Sequence, residues 1–449
     1  MKEKSSPQIW TVGTLTYTGA GLTVLFLWLL WGDFAWTIKQ RAVDPVAQLL
    51  MKRHGSSDLL IGLLVGSLPN ALGMLLGPVI GVWSDRHRGR WGRRLPFLLV
   101  PTPFAAVAMA GVAFSPAMGR WLDGFLGSSS PGLNACVLMV FASSWLVFEA
   151  LTTVSNTVFG ALINDVVPAE LLGRFFGMFR AVGLLAGIVF NVFLMGQAET
   201  YATAIFVGLA IVYVVGFSMM CWKVREGSYP EPPPPPPHPW AGIVMYIREC
   251  YGSPYYIRVF LAMALAGLAL GPVNSFSVLY AKQLGVSMQT YGYYQAFFFS
   301  CSIVLAYGLG WLADRFHPLR LSMVAIGVYG VAMVVGGFLI HDARSFGVFF
   351  VLHGVLSGVY FTAAASLGQR LFPKARFAQF ASAAGILNGV FFIIMPAALG
   401  LFLDWSGHQY RYSFLLAGFI AALALAALWN VHRHFHRLGG PQHYAAPES

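Results

Sequence analysis

The 449 residues are 57% hydrophobic and only 10% charged, against roughly a quarter charged in an ordinary soluble domain. A water-soluble globule of this size would lack the charge to cover its surface, so the composition excludes that class. Aromatics at 15% and 49 glycines fit helices packed in lipid, where aromatic rings sit at the interfaces and small residues let backbones approach.

The opening MKEKSSPQIW carries no cleavable-leader pattern, so the first apolar run is expected to be a retained span. Crossing the hydrocarbon core takes about 20 mostly apolar residues. Stretches of that kind fall at 20–50, 58–83, 95–117, 135–165, 173–196, 201–222, 255–281, 289–313, 320–341, 344–369, 377–403 and 412–431. They predict an all-α polytopic membrane protein with twelve transmembrane helices. The first is expected to be one long helix bent near Pro45, its outer half facing a polar cavity. Asp33, Thr37, Gln40 and Asp44 make one stripe along it that a lipid face would not tolerate. Trp36 borders the stripe.

In the fourth stretch, FASSWLVFEALTTVSNTVFG holds a single formal charge, Glu149. An ionisable group at that depth is costly and usually functional. Glu149 is therefore a candidate proton carrier, with a neutral Glu hydrogen-bonded between helices as the bland alternative. Thr152 and Asn156 follow at three and seven residues and share its helical face. Arg180 in the fifth stretch is either a substrate ligand or an interfacial arginine that snorkels to the surface. Between the sixth and seventh stretches, KVREGSYPEPPPPPPHPW contains Pro232–Pro237, which predicts a stiff polyproline segment. It is expected to be a linker rather than a dock for a proline-binding partner. The chain then divides into 1–222, a six-helix half; 223–254, a cytoplasmic Pro-rich linker; and 255–449, a second six-helix half with a basic tail. In that half Asn274, Gln295, His353, Gln369 and Asn388 are buried polar candidates. His432, His434 and His436 in the tail could bind metal, but a basic stop at the membrane surface is expected.

With both termini cytoplasmic, the inside segments hold 20 of the 28 Lys and Arg, as the positive-inside rule requires. That placement suits the cell (inner or plasma) membrane and accounts for the net charge of +11 without a nucleic-acid partner. Cys136, Cys221, Cys250 and Cys301 show no CxxC pairing and are expected to be free thiols, with no metal site. No P-loop, HExxH or nucleophile elbow is present, so neither an enzyme nor a bound cofactor is expected. A monomer is expected.

Two loops match each other. Gly81-Val-Trp-Ser-Asp85-Arg86-His-Arg-Gly-Arg90-Trp-Gly92-Arg93-Arg94 ends the second stretch, and Gly310-Trp-Leu-Ala-Asp314-Arg315 ends the eighth, 229 residues later. Both read G-x-x-x-D-R followed by more basic residues. This resembles the cytoplasmic signature loop of the major facilitator superfamily, present once per half, and implies two pseudo-symmetric six-helix halves. The acid–arginine pairs are expected to latch and release an inner gate.

The first loop, GPVIGVWSDRHRGRWGRRLPFLL, also resembles the glycoside–pentoside–hexuronide:cation symporters and the plant-type sucrose–proton symporters. Trp31-Gly32-Asp33-Phe34-Ala35 and Arg174-Phe-Phe-Gly-Met-Phe-Arg180 resemble sugar-binding regions of the former group. Alignment on Phe159–Asp165 puts Asn156 where that group has a second sugar-binding acid. Asn388 aligns loosely with a coupling lysine there. The sodium-site acids of that group are replaced by Gly73 and Gly77, whereas Glu149 falls where the sucrose–proton symporters carry an acid. The resemblance implies a proton-coupled symporter of a sugar or glycoside. Substrate contacts would come from Asp33, Trp36, Gln40, Asn156, Arg180 and Asn388, and Glu149 would carry the coupling proton. Two alternatives stay open: the same fold moving a lysolipid or organic anion, and a transporter-like sensor that binds without translocating.

Overall fold

The computed structural model describes residues 9–231 and 239–447, and the run Pro232–Pro237 lies outside them. A short antiparallel hairpin, β1 Trp10–Val12 and β2 Leu15–Tyr17, precedes the helices. Gly13, at φ +56, makes its turn, a conformation glycine adopts without steric cost.

Eleven helices among the described residues are long and apolar enough to cross a membrane. α1 is Gly19–Arg53, α2 Asp58–Arg86 and α3 Leu95–Ala113. The amphipathic α4, Ser115–Leu126, is followed by α5 Leu133–Val166, α6 Leu172–Phe193 and α7 Ala202–Lys223. After the linker come α8 Pro239–Tyr251, α9 Pro254–Leu268, α10 Gly271–Gln283 and α11 Met288–Phe316. The last helices are α12 Pro318–Leu339, α13 Ala343–Ala364, α14 Phe377–Trp405 and α15 Arg411–Arg437. The expected stretch 289–313 forms α11. α9 and α10 together make one span, Pro254–Gln283.

Three features depart from the expected spans. α1 does run as one helix through Pro45. The third stretch, expected to reach 117, ends at Ala113, and Pro116 in the first turn of α4 starts a new helix, the position where a missing N–H costs nothing. The seventh stretch breaks at Ala269–Leu270, because Pro272 has no N–H to offer the Leu268 carbonyl. α8 forms inside what was expected to be linker. There the Tyr251 hydroxyl donates to Ala383 O at 2.8 Å and Gln379 Nε2 to Glu249 Oε2 at 2.7 Å.

The chain forms two compact units: Met1–Ser56 with Leu72–Pro233, and Ser57–Ala71 with Pro234–Ser449. In the first, α1 packs on α6 and α7, and α3 on α5 and α7. Gly32 and Gly216 set the α1–α7 approach: a Cβ on Gly32 would come within 2.8 Å of the Met220 side chain, and one on Gly216 within 2.7 Å of Ala35. In the second unit, α12 packs on α13 and α15, α11 on α13, and α9 on α14 and α15. The opening of α2 packs on α14 through Gly62 and Gly66, where a Cβ would lie 2.2 Å from Pro396 O and 2.4 Å from Pro396 Cβ respectively. Such small-xxx-small spacing lets two backbones touch, which is how helices gain van der Waals contact in lipid.

Candidate functional site

In the first unit the polar residues of α1 converge on α5. Asp33 is fully buried; its Oδ1 accepts from Thr37 Oγ1 at 3.1 Å, while Oδ2 has no hydrogen-bond partner. One turn on, Lys39 is buried with its ammonium 3.8 Å over the Trp36 ring and 5.1 Å from the rings of both Phe148 and Tyr213. Trp36 also meets Tyr213 and Phe217 edge-on or tilted, at 5.8 Å each. Its ring is thus the floor of a lysine cage rather than an open stacking face. Cation–π contact is strongest when water is excluded.

Two carboxylates, Glu149 and Asp44, act electrostatically on Lys39. Glu149 is buried and Asp44 half-buried. The Arg41 guanidinium acts on Asp44 as well, so two cations and two acids share this region, and Lys39 is the cation that acts on Glu149. Along α5 the face that begins at Glu149 turns outward: Thr152 is buried and Asn156 exposed. Gln40 is exposed too, and Arg180 on α6 is half-buried. The lysine and its cage were not among the expected site residues. Their signal was a basic residue inside a polar helical stripe, two residues after Thr37.

The first signature loop closes on itself. Arg93 makes a forked pair with Asp165 at 2.7 and 3.1 Å, and Arg94 reaches Asp165 at 2.9 Å, Ser84 Oγ at 2.6 Å and Asp85. Glu226 accepts from the backbone N–H groups of Arg93, Arg94 and Leu95 at 3.0, 2.8 and 2.7 Å, capping the start of α3. Backbone donors at a helix start favour such a carboxylate. Gly92 is required twice over: its φ is +101, and a Cβ there would lie 2.7 Å from the Glu226 carboxylate. Burial works against the Arg93 charge, yet the bond to Asp165 and its negative charge hold the guanidinium above its ordinary range. Arg86 and Arg90 are exposed. Gly81 is open, with nothing near the position of a Cβ. Asp165 and Glu226 were not expected as partners. The second loop differs: Arg315 lies 5.2 Å over Trp311, Gly310 is open, and the side chain of Asp314 lies outside the described residues.

In the second unit the polar groups are neutral. His353 is buried on α13; its Nε2 meets Asn274 Oδ1 at 2.9 Å and its Nδ1 meets the Tyr329 hydroxyl at 3.0 Å. Tyr329 also reaches Ala269 O, at 3.2 Å, a carbonyl at the α9–α10 break. Asn274, three residues past the break, is exposed. A broken helix that lines a cavity is where irregular backbone survives at membrane depth. Asn388 is half-buried, with its Oδ1 against Gly267. Tyr291 links Ser277 and Gln295 at 2.8 Å each, and Gln369 is exposed.

Charge in this unit collects where α2 begins. Asp404 accepts from the N–H groups of Asp58 and Leu59, both at 2.8 Å. Asp58, fully buried, accepts from Tyr410 at 2.9 Å and meets His408 Nδ1 at 2.6 Å. His408 holds a left-handed φ of +61 directly after Gly407 at +71. A side chain rarely adopts that conformation without cost. Asp58, Asp404 and His408 lie close enough to share a cation, but the carboxylate oxygens already accept protein hydrogen bonds.

Comparison with known proteins gives one answer at three levels. The family model described as MFS/sugar transport protein matches residues 55–407. Sucrose transport protein SUC3 of Arabidopsis thaliana is 27% identical over 163 residues, 34% of this chain and 26% of that protein. Sucrose transport protein SUT4 of Oryza sativa subsp. indica is 30% identical over 138 residues, 30% of this chain and 22% of that protein. The aligned stretch thus spans about a quarter of the length of these relatives. Among solved structures, a peptide transporter POT in complex with sulfate superposes with TM-score 0.69 at 17% identity, covering 95% of this chain and 97% of that one. A D-xylose-proton symporter gives 0.63 at 14%, covering 95% and 97%. A bacterial homolog of the human lysosomal transporter Spinster gives 0.65 at 16%, covering 92% and 98%.

Proposed function

Since the chain belongs to the MFS/sugar transport protein family, we propose that it is a proton-coupled symporter of a sugar or glycoside working by alternating access. It is an integral membrane protein of major facilitator fold, a transporter and not an enzyme. The observation that carries the coupling reading is the buried Glu149 acting on the buried Lys39, with the half-buried Asp44 acting on both. Arg41 also answers Asp44, whereas Glu149 depends on Lys39 in a medium where charge is expensive to bury. A proton on Glu149 removes its need for a counter-charge and leaves Lys39 to Asp44; its loss draws Lys39 back to Glu149.

In the first unit Gln40, Asn156 and Arg180 would meet substrate hydroxyls; in the second, taken by itself, Asn274 and Asn388 are the candidates. Asp33, with one unpaired oxygen, would take a hydroxyl or a proton. Trp36 would act through Lys39, by holding it. The sucrose transport proteins among the relatives support a sugar as cargo, as does the proton symport named for the D-xylose relative. The distribution of Lys and Arg supports cytoplasmic termini, and a reporter fused after Arg437 reads that orientation.

The test is uptake into proteoliposomes under an imposed pH gradient or an imposed sodium gradient. With one proton per substrate, a gradient of about one pH unit sustains about tenfold accumulation, the equivalent of 1.36 kcal/mol. Glu149→Gln should bring that ratio to unity while exchange at equal concentrations persists, because exchange needs no net proton release. Accumulation by the mutant, or by sodium alone in the wild type, overturns the coupling reading.

A further inference from the structure

A cavity of about 890 Å³ opens between the loop-side ends of α3 and α7, and sugar transport makes no use of it. Its rim is the first signature loop and the segment that follows α7, carrying Arg88, Arg90, Arg93 and Arg225. Arg93 is held by Asp165, and Arg88 donates to Pro230 O at 2.8 Å. Arg90 and Arg225 have no ion-pair partner among the described residues. The lining has one carboxylate, Glu226, and three backbone N–H groups already occupy it. The rim is therefore strongly positive.

The wall is different. Leu95 and Leu99 come from α3, Cys221 and Trp222 from α7. Trp222 is 83% exposed and Trp91, on the loop, 62%. From the cavity an exposed apolar track continues along α7: Val215 and Ile211, seven and eleven residues before Trp222, a spacing that keeps them on its helical face. A soluble anion needs the arginines but has no use for an apolar track. A molecule with a charged head and acyl chains uses both.

We propose that this cavity binds an anionic phospholipid, with the phosphodiester between Arg90 and Arg225, the indoles of Trp91 and Trp222 at the headgroup level, and an acyl chain along the track of α7. Basic pockets between spans and interfacial tryptophans are the physical means by which such headgroups are held, and arginine forks match phosphate oxygens. Because Arg90 lies on the signature loop and Arg225 beside Glu226, the bound lipid would join the two segments that Glu226 already clasps.

Thermal unfolding of the purified full chain in a zwitterionic detergent tests this, with phosphatidylglycerol, phosphatidylcholine or inorganic phosphate added. Phosphatidylglycerol should raise the midpoint by about 4 °C, as a ligand present well above its Kd does; the other two should leave it unmoved. Arg90→Gln with Arg225→Gln should lose at least half of the rise, whereas Arg86→Gln with Arg174→Gln, basic positions outside the cavity, should keep it. Should the first double variant prove unstable, Trp222→Ala examined by native mass spectrometry should retain fewer phosphatidylglycerol molecules than wild type. An equal rise with inorganic phosphate would mean a site for soluble anions, and an undiminished rise or lipid count in the cavity variants would mean surface attraction alone. Either result overturns the proposal.

Discussion

The two units bury polar groups of opposite kinds inside their spans. In the first, the depth of the bundle holds formal charge: Asp33, Lys39, Asp44 and Glu149. In the second, it holds Asn274, His353, Tyr329, Ser277, Tyr291 and Gln295, joined by hydrogen bonds near 3 Å, while charge gathers where α2 starts, around Asp58 and Asp404. Charged groups couple to a proton because their energy in a low dielectric changes steeply with one added charge. A neutral network changes little with pH but offers donors and acceptors to hydroxyls. The difference supports the proposal that the first unit handles the driving ion while the polar groups of the second bind without coupling.

The largest effect should come from removing the cation. Lys39→Gln takes from Glu149 the cation that acts on it while Asp44, which keeps Arg41, still repels it, and uncompensated buried charge costs about 3–5 kcal/mol. The expected outcome is a thermal midpoint far below wild type, with no concentrative uptake. Adding Asp44→Asn should recover much of the stability, because it removes the acid that repels Glu149. If the double variant is no more stable than Lys39→Gln alone, the three groups do not share their charge and the comparison fails at its charged end.

A smaller effect tests whether charge in the second unit is structural. Asp58→Ala strips an acceptor from Tyr410 and from His408, which keeps its 3.7 Å approach to Asp404, at about 1–3 kcal/mol. Stability should fall, yet the accumulation ratio under an imposed pH gradient should stay at its wild-type value. A changed ratio would mean that Asp58 binds the transported proton.

The spans were legible because a run of about 20 apolar residues has few other uses, and their ends fell within a few residues of the helices. What escaped was local or distant. The break at Ala269 was written in Gly271-Pro272 but hidden by the hydrophobicity around it. α4 and α8 are amphipathic and too short to register as spans. Asp33 with Thr37, four residues apart on one helix, could be read from periodicity alone. The cage of Lys39 could not: Phe148 and Tyr213 lie on α5 and α7, and no helical period carries a contact across 100 residues or more. The same holds for Glu226, which reaches back 131 residues to Leu95.

The smallest effect is the most discriminating. His353 has two polar neighbours, and the pattern of donors is constrained. Asn274 Oδ1 can only accept, so Nε2 of His353 carries the proton in the neutral ring, and the Tyr329 hydroxyl shares its single proton between His353 Nδ1 and Ala269 O. Tyr329→Phe removes that donor, frees the ring to change tautomer and loosens the hold on Asn274, at a net cost of about 1 kcal/mol. On the proposal that Asn274 binds substrate, the expected result is a KM raised about fivefold, the factor that about 1 kcal/mol corresponds to. The accumulation ratio at saturating substrate should not change, since no charge has moved. His353→Gln should reproduce the pattern, since its amide can donate to Asn274 but cannot reach both neighbours with the geometry of a ring. Radiolabelled uptake at several substrate concentrations, with and without a pH gradient, separates the two quantities. An unchanged KM with a lowered accumulation ratio would place proton handling in the second unit and reverse the assignment of roles.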